Sequence, residues 1–271
     1  MAKQKIIFVS QEIAPYLSVS DNSKWGRSIP QSMKSLKYEV RTFMPDFGDI
    51  NERRNQLHEV IRLSGMNIPI SDNDHPLVVK VASMQPSRIQ VYFIDNDDYF
   101  IKADTDSDSF GSNRADNDER IIFFARGMVE TARKLQWVPE IIHVSGWMTA
   151  LVPMYVRRLF ADTPGFPQTK IVYSVLPESE VAELPVEFFE KLAAEGVAEE
   201  DLAPWRDMTR DRKMLEKMAI SYADAVVFHT ETPDPELVEW CETQGKPWQA
   251  AKGEGDDAAQ YDLLYQSLIH D

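Results

Sequence analysis

Cysteine, glycine and positive charge are all scarce in this sequence of 271 residues. The single cysteine, Cys241, excludes an intrachain disulfide and a cysteine-based metal cluster, and it fits a reducing compartment, so the cytoplasm is the expected address. No apolar run approaches the roughly 20 residues needed to span a bilayer. The opening MAKQKIIFVSQE runs straight into an acidic residue without a small-residue cleavage site, and it reads as a first strand rather than a signal. Lys and Arg number 29 against 44 Asp and Glu, a formal net charge of −15. Such a surface repels phosphates, so neither nucleic acid nor an anionic membrane is an expected partner. Glycine is missing from one telling place: the loop QEIAPYLSVSD that follows the first apolar run has none, although a parallel sheet commonly grips phosphates there.

What is present is a core. With 43% hydrophobic residues the chain can build one large domain or two small ones. KIIFVS, EVRTFM, QVYFID, EIIHVS, KIVYSV and DAVVFHT are short, β-branched and almost continuously apolar, the pattern of strands covered on both faces. Helical periodicity separates them: Trp25, Ile29, Met33 and Leu36; then Ile121, Phe124, Ala125, Met128, Ala132 and Leu135; then Leu151, Met154, Tyr155 and Arg158. HEVIRLSGMNIPI and HPLVVKVAS read as an inserted antiparallel hairpin around a Ser, Asp and Asn turn. The expected fold is therefore α/β: a doubly wound, mostly parallel, Rossmann-like sheet with an inserted β-hairpin. In such sheets ligands sit beyond the carboxyl ends of the strands, so Ser10 to Asp21, His143 to Met148 and Ser174 to Pro177 are expected to face one crevice.

Those segments carry a resemblance. FVSQEIAPYLSVSDNSKWGRSIPQSM is similar to the opening of bacterial glycogen and plant starch synthases, which runs Ser-Glu-Val-Ala-Pro-Phe-x-Lys-x-Gly-Gly-Leu and then a helix carrying Leu-Pro. Glu12, Ala14, Pro15 and Pro30 match it. The likeness continues through EVRTFMPDFGDI, VYFIDNDDYF, DNDERIIFFARGMVE, IIHVSGWMTAL, LPVEFF and KMAISYADAVVFHT. It implies the N-terminal half of a two-domain GT-B glycosyltransferase, with residues 1–245 as the Rossmann-like domain. Residues 246–271 follow as an acidic linker and an amphipathic helix packed on that domain, its face formed by Tyr261, Leu264, Tyr265 and Leu268.

Carried over residue by residue, the resemblance breaks in the crevice. The family's donor-contacting lysine falls on Ser18 and its glycine pair on Ser20 and Asp21. A cation that neutralises diphosphate is lost, and a carboxylate that repels it is gained. In the family's His-x-His-Asp-Trp-His stretch, His143 and Trp147 are kept, while Ser145, Gly146 and Met148 replace polar positions. A thioether at Met148 can neither give nor take a proton from a sugar hydroxyl. The later Ile-His-Asn segment reads Val175, Leu176, Pro177. The residues after Thr230 are too few for a second Rossmann domain, which in the family supplies most of the nucleotide pocket.

Other features have plain structural explanations. The acidic stretch from Asp95 through Asp108 lacks the glycine and closing glutamate of a calcium loop, and Gly253 and Gly255 follow no strand. No metal and no cofactor is expected. His143 is expected to be a hydrogen-bonded structural histidine and Trp147 a packing residue. The vestigial crevice thus comprises Glu12, Ser18, Ser20, Asp21, His143, Ser145, Trp147, Met148 and Leu176, with no catalytic residue among them. The favoured expectation is a non-catalytic relative of glycogen/starch synthase with a regulatory or protein-interaction role, as a homodimer or with another protein. One alternative is a glucosyltransferase component that moves glucose from ADP-glucose to an α-glucan once a separate chain supplies the second domain, although the lost phosphate grip speaks against ADP-glucose binding. Another is a small-ligand or carbohydrate binder that uses the remodelled crevice.

Overall fold

The computed structural model describes residues 3–100, 110–177, 180–251 and 257–270. Asp104, Asp106 and Asp108 of the acidic stretch, and Gly253 and Gly255, lie outside them. The chain begins with β1 (Lys5–Ser10), α1 (Asp21–Ser35), β2 (Glu39–Pro45), the single turn α2 (Glu52–Asn55), β3 (His58–Glu59), β4 (Met66–Ile70), β5 (Asn73–Met84) and β6 (Ile89–Asp95). It continues with α3 (Asn117–Lys134), β7 (Ile141–Ser145), α4 (Val152–Met154), β8 (Lys170–Val175), α5 (Phe188–Ala194), α6 (Glu199–Leu202), α7 (Arg212–Tyr222), β9 (Ala225–Phe228), α8 (Pro235–Thr243), β10 (Trp248–Ala250) and α9 (Asp257–His270).

The strands form one sheet in the order β10-β9-β8-β7-β1-β2-β6-β5-β3, with β4 paired to β5. From β10 to β6 all neighbours are parallel, and the hairpin adds the antiparallel edge. Ile6, Ile7, Phe8 and Val9 of β1 are each at most 3% exposed, so both faces of the central strand are covered. That is why its sequence is apolar without alternation.

Chain direction assigns the layers. β1 crosses to β2 on one side, whereas β6 to β7, β7 to β8 and β8 to β9 step the opposite way. Right-handed crossovers therefore place α1 on one face and α3, α4 and α7 on the other. The direction reverses between β1 and β7, and such a switch point opens a crevice at the carboxyl ends of the strands.

The inserted hairpin turns between Ile70 and Asn73, where Ser71 and Asp72 both adopt positive φ, 51° and 63°. Two left-handed residues in a two-residue loop match the twist of the flanking strands. The structure departs from the sequence reading in two places. The helix read through Leu151, Met154, Tyr155 and Arg158 is broken into a 3-10 turn (Trp147–Thr149), the short α4 and a π turn (Tyr155–Leu159). Pro153 supplies no N–H, so the hydrogen-bond ladder cannot run through it unbroken. The stretch read as linker contains β10, which lengthens the parallel sheet beside β9.

Candidate functional site

Ser10 and Ser145 end β1 and β7, and Ser174 is the last residue but one of β8; the three are in register, Ser10 opposite Ser145 and Ser145 opposite Ser174. Small side chains there let α1 descend onto the sheet. Gly26 completes the approach, because a Cβ at this position would stand 2.2 Å from the Glu12 carbonyl oxygen. Helix and loop are thus in contact at the switch point.

Ser20 caps α1: its hydroxyl accepts from Ser23 N–H at 2.9 Å and donates to the Glu12 carboxylate at 2.5 Å. The Ser23 hydroxyl in turn accepts from Ser20 N–H, closing the capping box. Glu12 is buried, and burial pushes its pKa up against the hydrogen bonds from Ser20 and Asn22. Asn22 also donates to the Pro177 carbonyl at 3.1 Å, tying the start of α1 to the loop after β8. Asp21 projects outward and pairs with Lys24 at 2.8 Å. Ser18 is exposed, beside Val19, which is 70% exposed.

His143 lies deeper. It is 3% exposed, and both ring nitrogens are engaged: Nδ1 with the Tyr265 hydroxyl at 2.5 Å and Nε2 with Ser174 Oγ at 2.6 Å. Ser174 Oγ reaches His229 Nε2 at 3.0 Å, and the Tyr261 hydroxyl meets the same nitrogen at 2.9 Å. Each imidazole nitrogen in these contacts can donate or accept according to its tautomer, so the chain can run from Tyr265 through His143 and Ser174 to His229 or in the reverse direction. In either direction Nδ1 of His229 is buried without a hydrogen-bond partner. Burial lowers the pKa of both imidazoles to about 3. Neutral rings of this kind hold structure together and carry no charge to a substrate.

The remaining crevice residues scatter. Ser145 is half-buried, and its carbonyl accepts from Gln11 N–H at 3.1 Å. Trp147 and Met148 are 2% and 0% exposed and join the hydrophobic core, with Met148 N–H donating to the Gln11 side chain at 3.0 Å. Leu176 is buried at 5% exposure. The structure therefore joins Glu12 to Ser20, and His143 to Ser174, His229 and α9, while Ser18 and Asp21 stand apart in solvent. Sequence reading did not foresee His229, Tyr261 and Tyr265 as one polar chain with His143. Its one available signal was that His143 and His229 both belong to the apolar strand runs EIIHVS and DAVVFHT. The space between α1 and these strand ends, lined by Ser10, Trp25, His143, Ser174 and His229 among others, measures about 20 Å³. Among the described residues no cluster of His, Cys, Asp and Glu is set to hold a metal, and no helix is long and apolar enough to cross a membrane.

The starch synthase catalytic domain family matches residues 5–239, most of the chain. The chain belongs to this family. A glycogen synthase of Chlorobium luteolum is 34% identical over 195 residues, which are 72% of this chain and 40% of that protein. One of Chlorobaculum parvum is 37% identical over 172 residues, 63% of this chain and 35% of that protein. The chain thus spans about 40% of the length of the curated relatives it matches. A solved structure titled as the catalytic domain of starch synthase IV from Arabidopsis thaliana, bound to ADP and acarbose, superposes with a TM-score of 0.74 at 16% identity, covering 95% of this chain and 53% of that one. The mostly parallel α/β sheet is accordingly that of a starch synthase GT-B domain. Membership of the family makes this a glycogen/starch synthase-like glycosyltransferase domain.

Proposed function

We propose that this domain is non-catalytic and serves a regulatory or protein-interaction role, the switch-point crevice having become a packed seam. The observation that carries the reading is how little space remains between α1 and the strand ends among the described residues. A space of about 20 Å³ admits about one water molecule, whereas small-molecule sites run to about 300–1,000 Å³. Its polar side chains are committed to one another through Tyr265, His143, Ser174 and His229.

The rim adds electrostatic support. If the resemblance is followed, a diphosphate would lie beside Ser18 and Asp21. Lys24, at the start of α1, is already paired with Asp21. A second acid, Glu12, lies beneath. Met148 belongs to the core, so it cannot stand in for a sugar-binding histidine. We assign the protein to the cytoplasm, where the buried thiol of Cys241 stays reduced.

Calorimetric titration of the full chain with ADP and ADP-glucose, alongside a glucan-elongation assay, tests the reading. No saturable heat and no elongation are expected. Unaided elongation, or saturable nucleotide binding that Ser18→Asp abolishes, would overturn it.

A further inference from the structure

At the opposite, amino-terminal edge of the sheet lies a larger groove of about 610 Å³. Lys3 precedes β1, Lys34 lies in the last turn of α1, Lys37 follows α1, Arg41 lies in β2 and Arg88 precedes β6; all five line it, against a single lining carboxylate, Glu39. Five cations gathered in one concavity are unusual in a chain with 15 excess negative charges.

Many cations elsewhere in the molecule are held by carboxylates. Lys80 meets Asp46, Glu52 and Asp95 within 2.9 Å, Lys191 meets Asp118 and Glu119, and Arg206 meets Glu190 and Glu199. Among the described residues no carboxylate forms an ion pair with Lys34, Lys37, Arg41 or Arg88. Arg41 adds an independent sign. Its guanidinium lies 4.7 Å from the Trp137 ring centre and 5.9 Å from that of Tyr92, and its Nη1 is buried with no hydrogen-bond partner. An unpaired buried guanidinium N–H is costly, and an anionic oxygen is the partner that suits it best. The aromatic rings hold the guanidinium in place, and mutual repulsion of the lysines raises the attraction for an incoming anion.

We propose that this groove is a binding site for a small phosphorylated anion, a diphosphate or a phosphate monoester carrying at least two charges. The groove has ample room for an occupant of that size. The site lies at the far end of the strands from the switch-point crevice, so it stands whether or not the crevice is inert.

Titration calorimetry of the full chain at low ionic strength, with inorganic pyrophosphate in one arm and glucose 1-phosphate in the other, tests this. Saturable one-site binding is expected in at least one arm. Tighter binding of pyrophosphate would identify bare phosphate groups as the determinant, and tighter binding of the sugar ester would show that the groove also reads the sugar. The exposed pair Lys37→Glu/Arg88→Glu should weaken binding at least tenfold, while Arg53→Glu/Arg54→Glu, exposed cations on α2 outside the groove, should leave it unchanged. Should the first pair fail to fold by thermal melting, Arg41→Gln takes its place with the same expectation. Absence of saturable heat in both arms, or equal weakening by the two charge-reversed pairs, would overturn the assignment.

Discussion

Tyr265 of α9 and His143 of β7, 122 residues apart in the chain, meet with the phenol oxygen 2.5 Å from Nδ1. The contact makes α9 part of the domain's interior: Tyr261 and Tyr265 are 1% and 0% exposed, and Asp262 and Gln266 bind Tyr38 and Gln4 on the neighbouring strands' edge. Tyr265→Phe keeps the ring and deletes the hydroxyl, leaving a buried imidazole nitrogen unsatisfied. The expected loss is about 1–3 kcal/mol in denaturant unfolding. An unchanged midpoint would show that the polar chain adds nothing to stability.

Restoring single family residues should separate exposure from chemistry. Ser18→Lys changes an exposed loop position and should leave the melting temperature where it is, yet bring no ADP-glucose binding, because no space opens to receive the sugar. Met148→His puts an imidazole where a fully buried thioether packs, and should cost about 2 kcal/mol or more. Transfer of glucose to glucan by either variant would contradict the non-catalytic reading.

The central strands were legible because β1, β7 and β8 are buried on both faces, a condition that writes itself into sequence as unbroken apolar runs. The hairpin was legible through its turn chemistry at Ser71 and Asp72. Other features leave no local trace. β10 has three residues, too few for any periodicity to register. The break at Pro153 depends on how the chain is re-bonded after the proline, and a proline alone does not specify a π turn. The partners of His143 were hidden for a different reason: Tyr261 and Tyr265 contribute to an apolar helical face by their rings, and that pattern is silent about where their hydroxyls point. The burial of Met148 was hidden too, since a residue just past a strand end can turn toward the core or toward the crevice.

Gly26 should tolerate no side chain. A Cβ there would stand 2.2 Å from backbone, the Glu12 carbonyl, which cannot swing aside as a flexible side chain could. Gly26→Ala would ordinarily favour a helix by about 1 kcal/mol. Here the clash should win, lifting α1 from the loop after β1 and lowering stability by about 2 kcal/mol or more. A higher melting temperature in the variant would show that α1 and the loop are not pressed together as described.

The pH dependence of stability should be shaped by buried groups of opposite sense. His143 and His229 are held neutral down to about 3 in the folded state. Below a pH of about 6.5 the unfolded chain takes up protons on both and the folded chain does not, so each removes about 1.4 kcal/mol of stability per pH unit. Asp46 and Glu216 work the other way. Burial pushes each up to about 7, outweighing Lys80 beside the first and Arg212 beside the second. The folded state therefore binds their protons before the unfolded state does, and each returns a comparable amount as pH falls from about 7 toward the ordinary carboxylate range near 4. The two effects nearly cancel in that window. Below about 4 the carboxylate gain is exhausted while the histidine loss continues, so stability should drop by close to 3 kcal/mol per pH unit. Urea unfolding at closely spaced pH values, from 7.5 down to 3.5, reads this directly. A steep loss already between 6.5 and 5 would mean that the two imidazoles are less balanced by Asp46 and Glu216 than their burial requires.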